Sequence, residues 1–349
     1  MITLERQNLV IRFPEVHEHA KARISFQRTL RIPDDGSDYP LPPGMGKFPL
    51  HHIEDYQAKL PDGWARRGGV FMPMYQSEAL WLSFGSGGHD YPIAIQIAAG
   101  KINAINGEPW QEEMQFDPQG YAVSGQQPWL DGFCVEKGRI RQFVAAPLGD
   151  GMTVEEQLTG KAEFGGIQIK AWPLKASTYE ALLDRPSFSR SGMEDMMVCC
   201  EAPTEMGLGM GGSMKQEIYD DLFKPHQWET GVTSRCYVHL LNSAAYAQVT
   251  GHLPPHRPYE AAAYAQVTGH LPPHRPYEAS DYAAAGLPWF DYYSDQLALG
   301  GAEKFKGLKT WRDFQGGSGA KEVNVEPKNI VHLSDGSGSG RPVSQGDGF

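Results

Sequence analysis

Residues 20–32, AKARISFQRTLRI, place Ala22, Ile24, Phe26, Leu30 and Ile32 at even positions, and Lys21, Arg23, Ser25, Gln27 and Arg31 at odd ones. A period of two fits a strand with one face in a core and one in water, and it does not fit a helix. The same kind of short, apolar, turn-bounded run recurs at VFMPMY (70–75), ALWLSF (79–84), PIAIQI (92–97) with KINAI (101–105), FCVEKGRIRQFV (133–144) and GIQIKAW (166–172). Ala98-Ala99-Gly100 and Lys137-Gly138 supply hairpin turns, where glycine accepts a positive φ cheaply. Between the first two strands, YPLPPGMGKFP (39–49) is too rich in proline and glycine for helix or central strand, so it is expected as an ordered loop over the sheet. The spacing predicts a mainly β chain: an antiparallel β-sandwich or barrel-like N-terminal domain followed by a smaller mixed α+β region.

The predicted division is an antiparallel β domain at 1–183, a Gly/Met-rich linker or loop at 184–214, a mixed region at 215–333 and a flexible tail at 334–349. Within the mixed region CYVHLLN (236–242) reads as a strand, Asn242 or Ser243 as the cap of a short helix through AAYAQV, and AEKFKGLKTWRDF (302–314) as a further helix. The same region holds an exact tandem duplication: AAYAQVTGHLPPHRPYEA occupies 244–261 and again 262–279. Two copies of 18 residues are too few and too short for a stacked repeat architecture. One copy is therefore expected to occupy the fold and the other to form an extra surface loop.

Three stretches, RTLRIPDDGSDYPLPPGMGKFPL (28–50), RQFVAAPLGDGMTVEEQLTGKAEFGGIQI (141–169) and AGLPWFDYYSD (285–295), together resemble a group of uncharacterised microbial proteins with no established activity. The likeness spans most of residues 20–300. It implies a shared fold, carries over no site residue, and implies a single TGxxPPxxP segment where this chain has two.

At 349 residues and 40% hydrophobic composition the chain can bury a sizeable core. A net charge of −11 argues against a surface made to neutralise phosphates, so neither nucleic acid nor an anionic membrane is an expected partner. The N-terminal MITLERQNLVIRFPEV lacks the pattern of a secretory signal, and the four cysteines, Cys134, Cys199, Cys200 and Cys236, fit neither a disulfide framework nor a CxxC zinc site. A cytoplasmic protein with reduced thiols is the expectation.

The chemistry-bearing motifs are each opposed by their context. His252, His256, His270 and His274 form two HxxxH pairs, but Pro254-Pro255 and Pro272-Pro273 forbid the helix that would set each pair on one face. Met193, Met196, Met197, Met206, Met210 and Met214 beside Cys199 and Cys200 offer soft ligands for Cu(I), yet methionine is also an adaptable filler of apolar surface. Gly207, Gly209 and Gly212 satisfy GxGxxG without the buried parallel strand that a dinucleotide fingerprint requires, so a turn-rich loop is expected. Ser86, His89 and Asp90 lack nucleophile-elbow spacing and read as a polar turn. His51, His52, Glu54 and Asp55 read as a solvated polar patch. No metal and no cofactor is expected, and no catalytic residue is assigned.

GLPWFDYYSD (286–295) carries the strongest binding composition. Trp289, Tyr292 and Tyr293 interleaved with Asp291 and Asp295 suit a ligand face in which rings stack on a sugar and carboxylates take its hydroxyl hydrogen bonds. The same rings suit docking of the second domain against the first. The function expected is that of a non-enzymatic, β-rich binding or assembly protein with a protein or glycan partner. The alternative is a carbohydrate-active hydrolase using carboxylates near 289–295.

Overall fold

A computed structural model describes residues 1–29, 31–32, 44, 46–76, 78–86, 91–136, 139–183, 205–214, 218–252, 303–309 and 340–346. Among them the chain is mainly β, a large antiparallel sheet curled into a half-barrel with a few helices, which realises the barrel-like form of the expected fold.

The strands are β1 (Ile2–Glu5), β2 (Asn8–Arg12), β3 (Lys21–Thr29), β4 (His51–His52), β5 (Val70–Met74), β6 (Ala79–Ser86), β7 (Ile93–Ala99), β8 (Ile102–Asn103), β9 (Ala122–Val123) and β10 (Trp129–Leu130). They continue with β11 (Gly132–Glu136), β12 (Arg139–Pro147), β13 (Ile167–Pro173), β14 (Glu205–Met214), β15 (Ser234–Asn242) and β16 (Arg341–Pro342). The helices are α1 (Asp62–Arg67), α2 (Val154–Thr159), α3 (Ala176–Leu183), α4 (Ser243–Thr250) and α5 (Glu303–Lys306). The main path of the sheet runs β16-β1-β2-β3-β6-β12-β14-β15-β13-β7-β8. All its pairings are antiparallel; on the branch, β5 lies parallel to β15, with Val238 opposite Val70.

Both hairpins read from the sequence form. β7 turns into β8 with Ala99 opposite Ile102, and Gly100 and Lys101 between them both have positive φ, 56° and 64°. That pair of angles is the mirror-image turn whose twist matches the flanking strands. β11 pairs with β12 through Cys134 and Ile140. Another turn of the mirror-image kind, at Arg6 and Gln7 (φ 48° and 60°), joins β1 to β2 without any glycine. The Asn8 amide there donates to the carbonyls of Glu5 and Arg6 at 3.0 and 2.9 Å.

The alternation in β3 holds, but its polar face is not in water throughout. Arg23 is exposed and Lys21 half-buried, whereas Ser25 and Gln27, and Arg31 just beyond the strand, are buried. The proline- and glycine-rich loop accounts for part of this: where it is described, residues 46–48 run alongside β3 as an added backbone ladder, and Gly44 lies on the polar face. Lys47 bridges to Gln27, the Phe48 amide donates to the Phe26 carbonyl at 2.9 Å, and Gly44 lies against Trp81 and Gln27. On the apolar face Arg28 is buried beside Phe48 and pairs with the buried carboxylate of Glu78.

Two other expectations are corrected. Residues 205–214, assigned to the linker, form β14, and Gly207, Gly209 and Gly212 are strand residues there, not a phosphate loop. Met206, Met210 and Met214 are buried in the core beneath that strand, which is the filler role of methionine. In the expected tail, Arg341–Pro342 pairs with β1 and Val343 donates to the Ile2 carbonyl. The remainder of the linker and of the tail lies outside the described residues.

The first copy of the duplicated segment begins in α4. Ala245, Tyr246 and Val249 bury one face of that helix against Ile53, Leu60, Trp64, Phe71 and Leu241. Gly251 (φ 76°) ends it in the left-handed conformation, its amide donating to the Ala247 carbonyl at 3.0 Å. The second copy lies outside the described residues.

Candidate functional site

Toward one end of the sheet's main path β15, β13 and β7 run side by side, and their side chains alternate between two unlike faces. Ile95, Ile97, Ile167, Ile169, Cys236 and Val238 point into the core. At the intervening positions the register aligns Gln96 with Lys170 and Lys170 with Arg235, and Gln168 with Tyr237. Gln96, Gln168 and Lys170 are nonetheless almost fully buried. Burying amides and an ammonium costs several kcal/mol unless each finds partners, so this face is organised around polar contacts (order of magnitude).

Those contacts build a cationic, aromatic-lined patch from four separate segments. The Lys170 ammonium donates to the Glu112 carboxylate at 2.7 Å, and the Trp110 indole N–H donates to the same carboxylate at 2.8 Å. Arg235 stands 3.9 Å from it. Lys101 rests against both Trp110 and Phe164, its ammonium 5.3 and 5.4 Å from the ring centres. Arg67, from the last turn of α1, lies 5.3 Å from the Phe164 ring and 5.5 Å from that of Tyr237. The alternation then continues inward as a stack, Tyr237 on His239 at 4.3 Å and His239 on Trp64 at 4.4 Å. Rings and cations in this order attract one another through the negative faces of the rings.

Several backbone devices hold the patch in place. Glu155, a buried carboxylate in α2, accepts the amides of Glu163, Phe164 and Gly165 at 2.9, 2.7 and 2.7 Å and so fixes the segment that presents Phe164. That helix starts on a capping box between Thr153 and Glu156. The turn carrying Lys101 passes directly over Glu155: a Cβ on Gly100 would come within 2.4 Å of its carboxylate, so only glycine fits. Gln168 accepts the Lys101 amide at 2.6 Å and donates to the Gly165 carbonyl at 2.8 Å, tying turn and segment to the sheet.

The electrostatics are unusual for an acidic protein. Among the described residues Arg67, Lys101, Lys170 and Arg235 act on one another across the patch, with the Glu112 carboxylate beside Lys170 and Arg235 and that of Glu155 beneath the Lys101 turn, in a chain of net charge −11. Burial pushes the Lys101 ammonium below the ordinary lysine range; Glu112 opposes this, and Arg235, Arg67 and Lys170 push it further down. Partial burial pushes the Glu112 carboxyl up, but the Lys170 and Trp110 hydrogen bonds and the Lys170 and Arg235 charges outweigh it and hold it low. Lys101 also sits at a left-handed φ of 64°, where a glycine would be cheaper by about 1 kcal/mol. The patch therefore keeps a lysine in a place that backbone preference disfavours.

The residues singled out from sequence lie elsewhere. Trp289, Asp291, Tyr292, Tyr293 and Asp295 lie outside the described residues, as do His256, His270, His274, His89, Asp90, Cys199, Cys200, Met193, Met196 and Met197. Ser86 ends β6 opposite Ala22. Of the expected solvated patch, Glu54 and Asp55 are exposed, whereas His51 is half-buried and His52 buried. His51 shares a hydrogen bond of 2.9 Å with the Tyr246 hydroxyl, and burial pushes its pKa down to about 4. Asp55 takes both guanidinium nitrogens of Arg341, at 2.9 and 2.7 Å. Neighbouring strand residues face opposite ways, which separates the two histidines. Among the described residues no group of three or more His, Cys, Asp or Glu is placed to hold a metal, and no helix is long and apolar enough to cross a membrane.

Sequence reasoning missed Arg67, Lys101, Lys170, Arg235, Phe164 and Tyr237. One signal was present: Gln96, Gln168, Lys170 and Arg235 interrupt otherwise apolar strands at alternate positions, as residues on a second buried face must. The pairing that brings them together was not readable. No family model matches the chain, and neither do the curated proteins or the solved structures.

Proposed function

We propose that this is a non-enzymatic binding protein of the cytoplasm whose ligand is an anion seated on the patch of Arg67, Lys101, Lys170 and Arg235. The observation that carries this reading is the Glu112 carboxylate, which already accepts from Lys170 and Trp110 with Arg235 3.9 Å away. An internal carboxylate thus marks the chemistry that the patch accommodates, and Arg67, Lys101, Lys170 and Arg235 lie close enough together to act on one another electrostatically. Arginine presents a planar fork that suits carboxylate or phosphate, and low dielectric at a half-buried patch strengthens each contact. The cations are clustered within the range of one acid group and backed by rings, which favours a small anion, or the acid group of a protein or glycan partner, over a nucleic acid backbone.

Malonate, inorganic phosphate and the neutral malonamide, added at constant ionic strength, test this through the melting temperature. A ligand that binds only the folded state raises stability as RT ln(1 + [L]/Kd). The two anions should raise the melting temperature saturably and malonamide should not; equal response to all three would refute the anion site. The hydrolase alternative rests on the composition of residues 286–295. Release of reducing ends from polysaccharides, abolished by Asp291→Asn or Asp295→Asn, would favour it.

A further inference from the structure

We propose that the patch carries its own competitor: the acid group of Asp347, delivered to Arg235 and the end of α1 by a strap of residues 340–346, which an outside anion must displace. This rests on the reading of the patch as an anion site and names its regulation. The strap is anchored over its first half. Arg341 and Pro342 pair with Leu4 and Thr3 of β1, and the Arg341 guanidinium donates to both oxygens of Asp55. The Val343 amide donates to the Ile2 carbonyl at 3.0 Å, and its side chain is buried in the core.

The second half of the strap crosses from α1 to β15, at the edge of the patch. Ser344 Oγ accepts the Gly69 amide at 3.2 Å, and Gln345 bridges to Gly68 and donates from its side-chain amide to Ser234 Oγ at 3.2 Å. Gly346 lies so close on the last turn of α1 that a Cβ there would collide with the Arg66 carbonyl, and its own carbonyl accepts from Nη2 of Arg235 at 3.4 Å. Arg235 is thus engaged on two sides, its Nη1 3.9 Å from the Glu112 carboxylate and its Nη2 on the strap. Asp347 follows Gly346 directly. Consecutive Cα atoms stand about 3.8 Å apart, so the strap brings this carboxylate within reach of Arg66, Arg67 and Arg235, to which its charge is complementary. A group tethered in this way acts at a high effective concentration, and a free anion binds with an affinity reduced by the fraction of molecules already capped.

Calorimetric titration of malonate at constant ionic strength, into the full chain and its variants, reads this competition. Asp347→Asn should tighten malonate about two- to fivefold, the range that loss of one exposed ion pair supports. Asp347→Glu should bind as the wild type does. Gly346→Ala keeps the acid but lifts the end of the strap from Arg66, and should tighten malonate as well. Glu15→Gln removes an exposed acid beside the N-terminal amine, and should bind malonate as the wild type does. Tightening by Asp347→Asn that Glu15→Gln matches, or that Gly346→Ala does not reproduce, overturns delivery of the acid by the strap. The two readings fail separately: malonate bound equally by the wild type and Asp347→Asn removes the competitor and keeps the anion site, whereas no binding by either removes both.

Discussion

The duplicated segment makes a sharp prediction because its two copies are chemically identical and the first begins in α4. Tyr246, in the first copy, is fully buried, packs with Phe71 and shares a hydrogen bond with His51 at 2.9 Å. Truncating a buried aromatic residue to alanine costs about 3–5 kcal/mol. The second copy offers an identical helix as a substitute, at the cost of looping out 18 residues. Closing that loop costs roughly (3/2)RT ln 18, or about 2.6 kcal/mol, before any constant term. The cheaper route sets the observed loss, so Tyr246→Ala should cost about 3 kcal/mol, Tyr264→Ala close to nothing, and the pair together up to about 5 kcal/mol. Urea unfolding reads all three from the midpoint at unchanged slope. Deleting 262–279 should leave the midpoint unchanged. If Tyr264→Ala destabilises as much as Tyr246→Ala, the idea that the first copy alone carries the architecture is wrong.

Other consequences are as direct. His239 is buried with its Nε2–H on the Gly68 carbonyl at 3.0 Å, and burial pushes its pKa from 6.5 down to about 3. The unfolded chain takes up a proton below pH 6.5 that the folded protein refuses, so stability is full above that pH and falls toward pH 3. The slope approaches about 1.4 kcal/mol per pH unit for this residue, and His51 adds to it between pH 6.5 and about 4. His239→Gln should flatten the urea midpoint measured from pH 7.5 to 5.5. Arg6→Gly, at a left-handed turn position, should raise stability by about 1 kcal/mol in the same assay, because glycine removes the Cβ clash. Glu155→Gln puts an amide where a carboxylate accepts three backbone N–H groups. It should cost about 2–3 kcal/mol and weaken anion binding together, through displacement of Phe164.

Much of the sheet was legible in the chain because local rules governed it. The alternation of β3, the glycine turn after β7, the pairing of β11 with β12 and the apolar β13 and β15 each follow from side-chain period and turn chemistry over a few residues. Burial of Ser25, Gln27 and Arg31 was not legible, because it depends on where a loop some twenty residues away comes to rest. Nor was the strand character of Glu205–Met214, whose glycines and methionines mimic a linker until β12 and β15 supply partners. The binding patch was hidden for the same reason. Arg67, Lys101, Glu112, Phe164, Lys170 and Arg235 come from segments spread over some 170 residues, and only the register of β7, β13 and β15 sets them side by side. The composition of residues 286–295 drew notice because it is contiguous, whereas a site assembled across strands leaves only scattered polar letters in apolar runs.

Calorimetric titration of malonate at constant ionic strength, into the wild-type protein and into an Arg67→Gln/Arg235→Gln variant, bears most directly on whether the cationic patch binds an anion or only fastens loops to the sheet. Both residues are partly exposed, so the folded state of the variant can be checked by its urea midpoint. The account predicts one saturable binding event in the wild type that is lost in the folded variant. A wild type that shows no binding, or a variant that binds as the wild type does, would contradict it.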